Sequence, residues 1–89
     1  MKSVVIDGEY IKDTRELHYQ LANKLGFPEW YGNNLDALHD CLTDIKEQTA
    51  IELTNIDALK QNLGVYYERF IKVLTVCVEQ NFNISILSK

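Results

Sequence analysis

The sequence predicts an α/β domain in which a three-stranded parallel sheet is packed with about four helices. Three observations predict it. Short runs rich in β-branched residues stand near the start, the middle and the end of the chain. Between them, apolar residues recur at helical rather than strand spacing. Each intervening stretch is long enough for a crossover, so the strands are most simply parallel, joined right-handedly, with helices against the sheet. Residues 1–89 are read as one domain. A chain of this length buries somewhat over about 60% of its unfolded surface, and hydrophobic residues at 46% with charged residues at 25% suit a folded core rather than disorder.

Ser3 to Ile6 is the first strand, and Asp7 and Gly8 turn the chain out of it. Asp13 with Glu16 three residues later resembles a capping box for a first helix. Leu17, Leu21 and Leu25 form its apolar stripe, which stops at Gly26 with Pro28 just beyond. His18 falls between Leu25 and Ala22 on that wheel and is read as a packed, hydrogen-bonded histidine rather than a catalytic one.

A second helix follows Asn33 and Asn34, either of which can be its N-cap. Leu35, Leu38, Leu42 and Ile45 gather on one side with Cys41. Asp36, His39, Asp40 and Thr43 share an arc of roughly 100° on the other. Ala50 to Leu53 is the second strand, Asn55 can cap a short helix from Ile56 to about Leu63, and a longer helix runs from Val65 to about Asn81 on Tyr66, Phe70, Val73, Leu74 and Cys77. Asn83 to Leu87 closes the sheet.

The charge of this chain is localised. Between Lys24 and Lys46 there is no Lys or Arg but there are Glu29, Asp36, Asp40 and Asp44, while the remainder balances 9 basic against 9 acidic side chains, so the net −4 resides in this one segment. Asp36 in the first helical turn is favoured by the helix dipole. Asp40 and Asp44, four residues apart, repel by a few tenths of a kcal/mol with no nearby cation to relieve them. Most charged helical faces are only solvated surface. This one carries a cost that a binding role would explain.

Several function classes are excluded or disfavoured. The opening MKSVVIDGEY lacks the apolar run and cleavage site of a secretory signal, and no stretch of about 18 apolar residues occurs, so a cytoplasmic location and no membrane partner are expected. Cys41 and Cys77 lie on or beside apolar helical faces, which suits reduced thiols better than a disulfide. A pI near 5.0 without a basic cluster disfavours direct nucleic-acid binding. No zinc spacing, phosphate-cradling glycine motif or nucleophile elbow is present, and no cofactor is implied. Asp36, His39 and Asp40 converge at i, i+3 and i+4, but a metal site would need a further ligand that the sequence does not supply. The chain is read as a non-enzyme.

Trp30 and Tyr31 precede the acidic helix and have two readings, as anchors of the loop to the core or as amphipathic residues at an interface. Their place beside uncompensated carboxylates favours the interface. Fixed acids flanked by aromatics suit a basic, nucleotide-handling pocket on a partner.

Pro28, Tyr31, Gly32, Asn34, Leu35, Asp36, Ala37, Leu38, Asp40, Cys41, Leu42 and Thr43 resemble the barstar family, intracellular inhibitors of the secreted bacterial ribonuclease barnase. Val5, Ile6, Gly8, Glu9 and Ile11, then Leu17, His18 and Leu21, sit at the family's spacing. Lys46 to Tyr66 matches poorly, and the last strand matches through Ile84, Ile86 and Leu87. The resemblance implies a barstar-like fold and a mechanism: loop and second helix plug a ribonuclease active site, with Asp40 where a substrate phosphate would lie. It implies that Asp36 pairs with another cation, that Thr43 hydrogen bonds, and that Trp30, Asn34 and the backbone at Gly32 fill the cleft.

The departures are as specific as the matches. His39 stands where inhibitors of barnase carry tryptophan, Ile45 where they carry a second one, and Asp44 replaces a glycine. Val76 and Gln80 align with two glutamates that touch the enzyme, and Arg69 and Lys72 share their face. The ribonuclease-binding set implied is therefore Trp30, Tyr31, Gly32, Asn34, Asp36, His39, Asp40, Thr43, Asp44, Ile45, Val76 and Gln80. The expected partner is a basic secreted bacterial ribonuclease or related ribonuclease toxin, bound one-to-one by a monomer. The rival reading keeps the scaffold but binds a non-ribonuclease protein, with Val76 as a new apolar contact.

Overall fold

Alternation of buried and exposed residues starts with the first strand, β1 (Lys2–Asp7), where Val4 and Ile6 face inward and Ser3 and Val5 outward. The computed structural model describes residues 1–89, and the elements follow as α1 (Thr14–Leu25), α2 (Leu35–Thr43), β2 (Thr49–Thr54), α3 (Ile56–Leu63), α4 (Val65–Gln80) and β3 (Ile84–Ser88). The three strands form one parallel sheet in the order β1-β2-β3. Register places Val4 beside Ile51 and Ile51 beside Ile86. Central β2 contributes Ile51 and Leu53, both without exposure, to a core that also takes Leu17 and Leu21 from α1, Leu38 and Leu42 from α2, Leu59 from α3, and Phe70 and Cys77 from α4. The α/β architecture, the parallel sheet and the four helices are those predicted. No helix is long and apolar enough to cross a membrane.

The differences from expectation lie at the caps. The chain leaves β1 through a 3-10 turn over Gly8–Tyr10, with Asp7 Oδ1 accepting from the Glu9 N–H at 3.0 Å. Only half of the capping box at α1 forms. Asp13 Oδ1 accepts from the Glu16 N–H at 2.9 Å, but the Glu16 carboxylate turns down the helix to accept from Gln20 Nε2 at 3.1 Å. Gly26 ends α1 in the left-handed region at φ 72°, as glycine permits.

Asn55 is not the side-chain cap it was expected to be. It adopts φ 52° and its Nδ2 donates to Asp7 Oδ1 at 2.6 Å, clipping the start of α3 to the end of β1. That bond, followed by the backbone bond from Glu9, holds the Asp7 carboxyl below the usual range. The elements meet closely here: a Cβ on Gly8 would run into the Asn55 carbonyl and lie 2.8 Å from the Leu59 nitrogen.

Candidate functional site

The loop after α1 and the acidic helix α2 form the site, and local chemistry fixes where the helix starts. Asn34 is the cap: its Oδ1 accepts from the Ala37 N–H at 2.8 Å, while Asn33 occupies the left-handed region at φ 55°. Asn34 also donates to the Gly32 carbonyl at 3.3 Å, and a Cβ at Gly32 would stand 3.2 Å from that same amide. Gly32 and Asn34 are exposed and Asp36 lies in the first turn of α2, so backbone donors, amide and carboxylate are presented together.

The two aromatics of the loop part company. Trp30 is 81% exposed and Tyr31 only 6%. The Tyr31 side chain is thus not on the surface with its neighbour. It packs on Phe27 at a 4.9 Å centroid distance and places its hydroxyl 2.7 Å from His18 Nδ1. His18 Nε2 lies 2.7 Å from the Tyr66 hydroxyl, so one buried imidazole joins α1, the loop and α4. A neutral imidazole donates from one nitrogen and accepts at the other, so one phenol must accept and the other donate. Burial lowers the His18 value and raises those of Tyr31 and Tyr66, keeping all three uncharged. His18 is the packed, hydrogen-bonded residue the sequence suggested.

On α2 the predicted faces separate. Leu38 and Leu42 are fully buried, with α2 against α4, whereas Asp36, Asp40 and Asp44 are exposed and the Asp40 side chain keeps 85% of its accessible area. No lysine or arginine comes within 4 Å of these carboxylates; the chain's two ion pairs are Lys89–Glu52 and the contact of His39 Nδ1 with Asp40 Oδ1 at 3.5 Å. The open depression of about 610 Å³ bordered by Arg15, Tyr19, Phe27, Glu29 and Tyr31 does not include them. No group of three or more His, Cys, Asp or Glu side chains is arranged to hold a metal ion.

The far end of the helix is where sequence reasoning fell short. The helix stops at Thr43, so Ile45, expected on its apolar stripe, lies beyond it and is half-buried in the following turn. Asn81, 8% exposed, supplies the missing donors: its Nδ2 lies 2.9 Å from the Leu42 carbonyl and 3.0 Å from that of Ile45, and its Oδ1 accepts from the Asn83 N–H at 2.9 Å. From the sequence, Asn81 is only the last residue of the long helix. An asparagine just past a helix is a capping signal, but which helix it caps is not local information.

The remaining candidates spread along the same flank. Thr43 donates to the His39 carbonyl at 2.8 Å, which commits its proton to the helix and leaves its oxygen able to accept. Gln80, exposed on α4, holds His39 Nε2 through its Oε1 at 2.8 Å, and Val76 is half-buried on the same helix. Both cysteines are free. Burial pushes the Cys77 thiol up to about 11, and burial with the charges of Asp40 and Asp44 raises Cys41, so neither is a poised nucleophile.

The chain is similar to known proteins over nearly its whole length. The family model described as Barstar (barnase inhibitor) matches residues 1–86. A curated protein of Bacillus subtilis (strain 168), "Putative ribonuclease inhibitor YrdF", is 36% identical over 81 residues, which span 90% of this chain and 89% of that protein.

Proposed function

The chain belongs to the barstar family, and from that premise we propose that it is a cytoplasmic inhibitor of a barnase-like secreted ribonuclease, acting as an immunity protein for its producer. It works by occlusion, without turnover or cofactor, as a monomer in a one-to-one complex. The loop carrying Trp30, Gly32 and Asn34 enters the enzyme's cleft. Asp40 takes the place of a substrate phosphate among the catalytic cations, and Asp36 pairs with a second cation. Thr43 accepts a hydrogen bond, and Asp44, Ile45, Val76 and Gln80 border the contact. Tyr31 contributes by anchoring the loop to His18.

The observation that carries this reading is the set of exposed aspartates on α2 that no cation of the chain neutralises. Such a ridge repels itself in the free protein and gains on meeting a basic surface, which also steers the approach. Asp36 and Asp40 remain, while Val76 and Gln80 stand in place of peripheral acids. The target therefore shares the active-site chemistry of barnase but differs in surface, and barnase itself is bound less tightly.

Inhibition measured across a panel of purified microbial ribonucleases, barnase among them, tests this. Inhibition of at least one member, stronger than that of barnase, is expected. Equal potency against barnase would show the replaced contacts to be unimportant, and no inhibition of any member would overturn the reading.

A further inference from the structure

The loop that carries Trp30 and Gly32 has few attachments of its own. Residues 28–33 lie between the end of α1 and the cap of α2, and their backbone bond, from the Tyr31 N–H to the Pro28 carbonyl at 3.0 Å, stays inside the loop. The Gly32 carbonyl accepts from the adjacent cap, Asn34. The one hydrogen bond that ties these residues to a distant element is that between the Tyr31 hydroxyl and His18 Nδ1, at 2.7 Å.

That bond depends on the other side of the imidazole. His18 is 1% exposed, and its Nε2 lies 2.7 Å from the hydroxyl of Tyr66, 48 positions away in the first turn of α4. A ring turned over about its Cβ–Cγ bond would put carbon where each nitrogen now stands, and both hydroxyls would lose their partner. The tautomer at one nitrogen is likewise set by the bond made at the other. Burial keeps the ring neutral, so Nδ1 has a single role toward Tyr31 and the bond to Tyr66 selects it.

We propose that Tyr66 is a positioning residue for target binding: through His18 it holds Tyr31, and with it the loop that enters the partner's cleft, in place before the partner arrives. This role rests on the inhibitor reading above and adds a contributor on α4 that acts through the loop rather than on the cleft. A loop already in its bound shape has less freedom to lose on docking, and the saving appears as affinity.

Trp30 supplies the test, because it is the chain's single tryptophan and is 81% exposed, so its fluorescence anisotropy decay reads loop motion in the free protein. Tyr66→Phe deletes one hydroxyl and should enlarge the fast, local part of that decay. Tyr67→Phe, the same deletion on the neighbouring ring, which packs under Lys60 instead, should leave it unchanged. So should Gly8→Ala, which strains the junction of β1 with α3 and controls for lost stability. Calorimetric binding to purified barnase should weaken about three- to tenfold in Tyr66→Phe, the worth of one net hydrogen bond, and hardly at all in the two controls. Once Tyr31→Phe has cut the loop from His18, adding Tyr66→Phe should cost little further affinity, a non-additivity that a hydroxyl serving only the stability of α4 would not produce. Unchanged Trp30 motion in Tyr66→Phe, or affinity losses that simply add, overturns the positioning role and leaves the inhibitor reading intact. Failure of the wild type to bind barnase overturns the barnase-like target and the binding role of Tyr66 with it, and is told apart from the first failure because Trp30 motion is read without a partner.

Discussion

Asn81 donates from its side-chain amide to the carbonyl of Leu42 across 2.9 Å, so the residue that ends α4 also terminates α2. The last carbonyls of a helix have no partner within it, and these are partly enclosed. Asn81→Ala should cost about 1–3 kcal/mol, because the acceptors at Leu42 and Ile45 lose their donor in a buried setting. Asn81→Asp should cost at least as much, since it removes the donor and puts a negative charge at the negative end of α2. Urea unfolding checks both, and faster amide exchange confined first to the end of α2 would locate the defect.

Gly8 separates β1 from α3 by less than a methyl group. Its Cβ would meet the Asn55 carbonyl and the backbone of Leu59, which cannot swing aside as a flexible side chain can. Gly8→Ala should therefore destabilise by about 1–3 kcal/mol through overpacking. A lowered urea midpoint with unchanged m-value is the expected result.

The phenol of Tyr31 and the imidazole of His18 carry a pH signature. Burial lowers His18 from its ordinary 6.5, so below that value the unfolded chain binds a proton that the folded chain does not. Stability should be unaffected by this group above 6.5, fall as pH drops through it, and level off below the depressed folded value. His18→Gln should remove this component, measured as the difference between the two proteins' unfolding free energies across pH. Tyr31→Phe should cost about 1–3 kcal/mol by leaving Nδ1 without a partner, even though it removes one oxygen.

Asp40 and Glu79 are both exposed acids on adjacent helices, and they should behave differently. Asp40→Ala should weaken inhibition of the target far more than Glu79→Ala and leave thermal unfolding nearly unchanged. Association of the wild type should slow as salt rises, the behaviour for which the barnase–barstar pair is itself the reference case. Stopped-flow association at several ionic strengths gives the answer, and salt-independent rates would contradict it.

The order of strands and helices, the acidic ridge and its polar and apolar faces were legible in the sequence because each depends on near neighbours. Periodicity marks a strand or helix from the residues within it, and the clustering of Glu29, Asp36, Asp40 and Asp44 without a lysine is a property of one segment. Even the burial of His18 followed from its place on a leucine stripe. Tertiary structure alone decided which of Trp30 and Tyr31 turns outward, because only in the fold does His18, 13 positions from Tyr31, hold its hydroxyl while Tyr66, 35 positions from Tyr31, holds the other side of that imidazole. The same holds for Asn55 reaching Asp7, Asn81 closing α2 and Gln80 fixing His39. Each links residues roughly 40 or more positions apart, and such partners are chosen by packing geometry rather than by local preference.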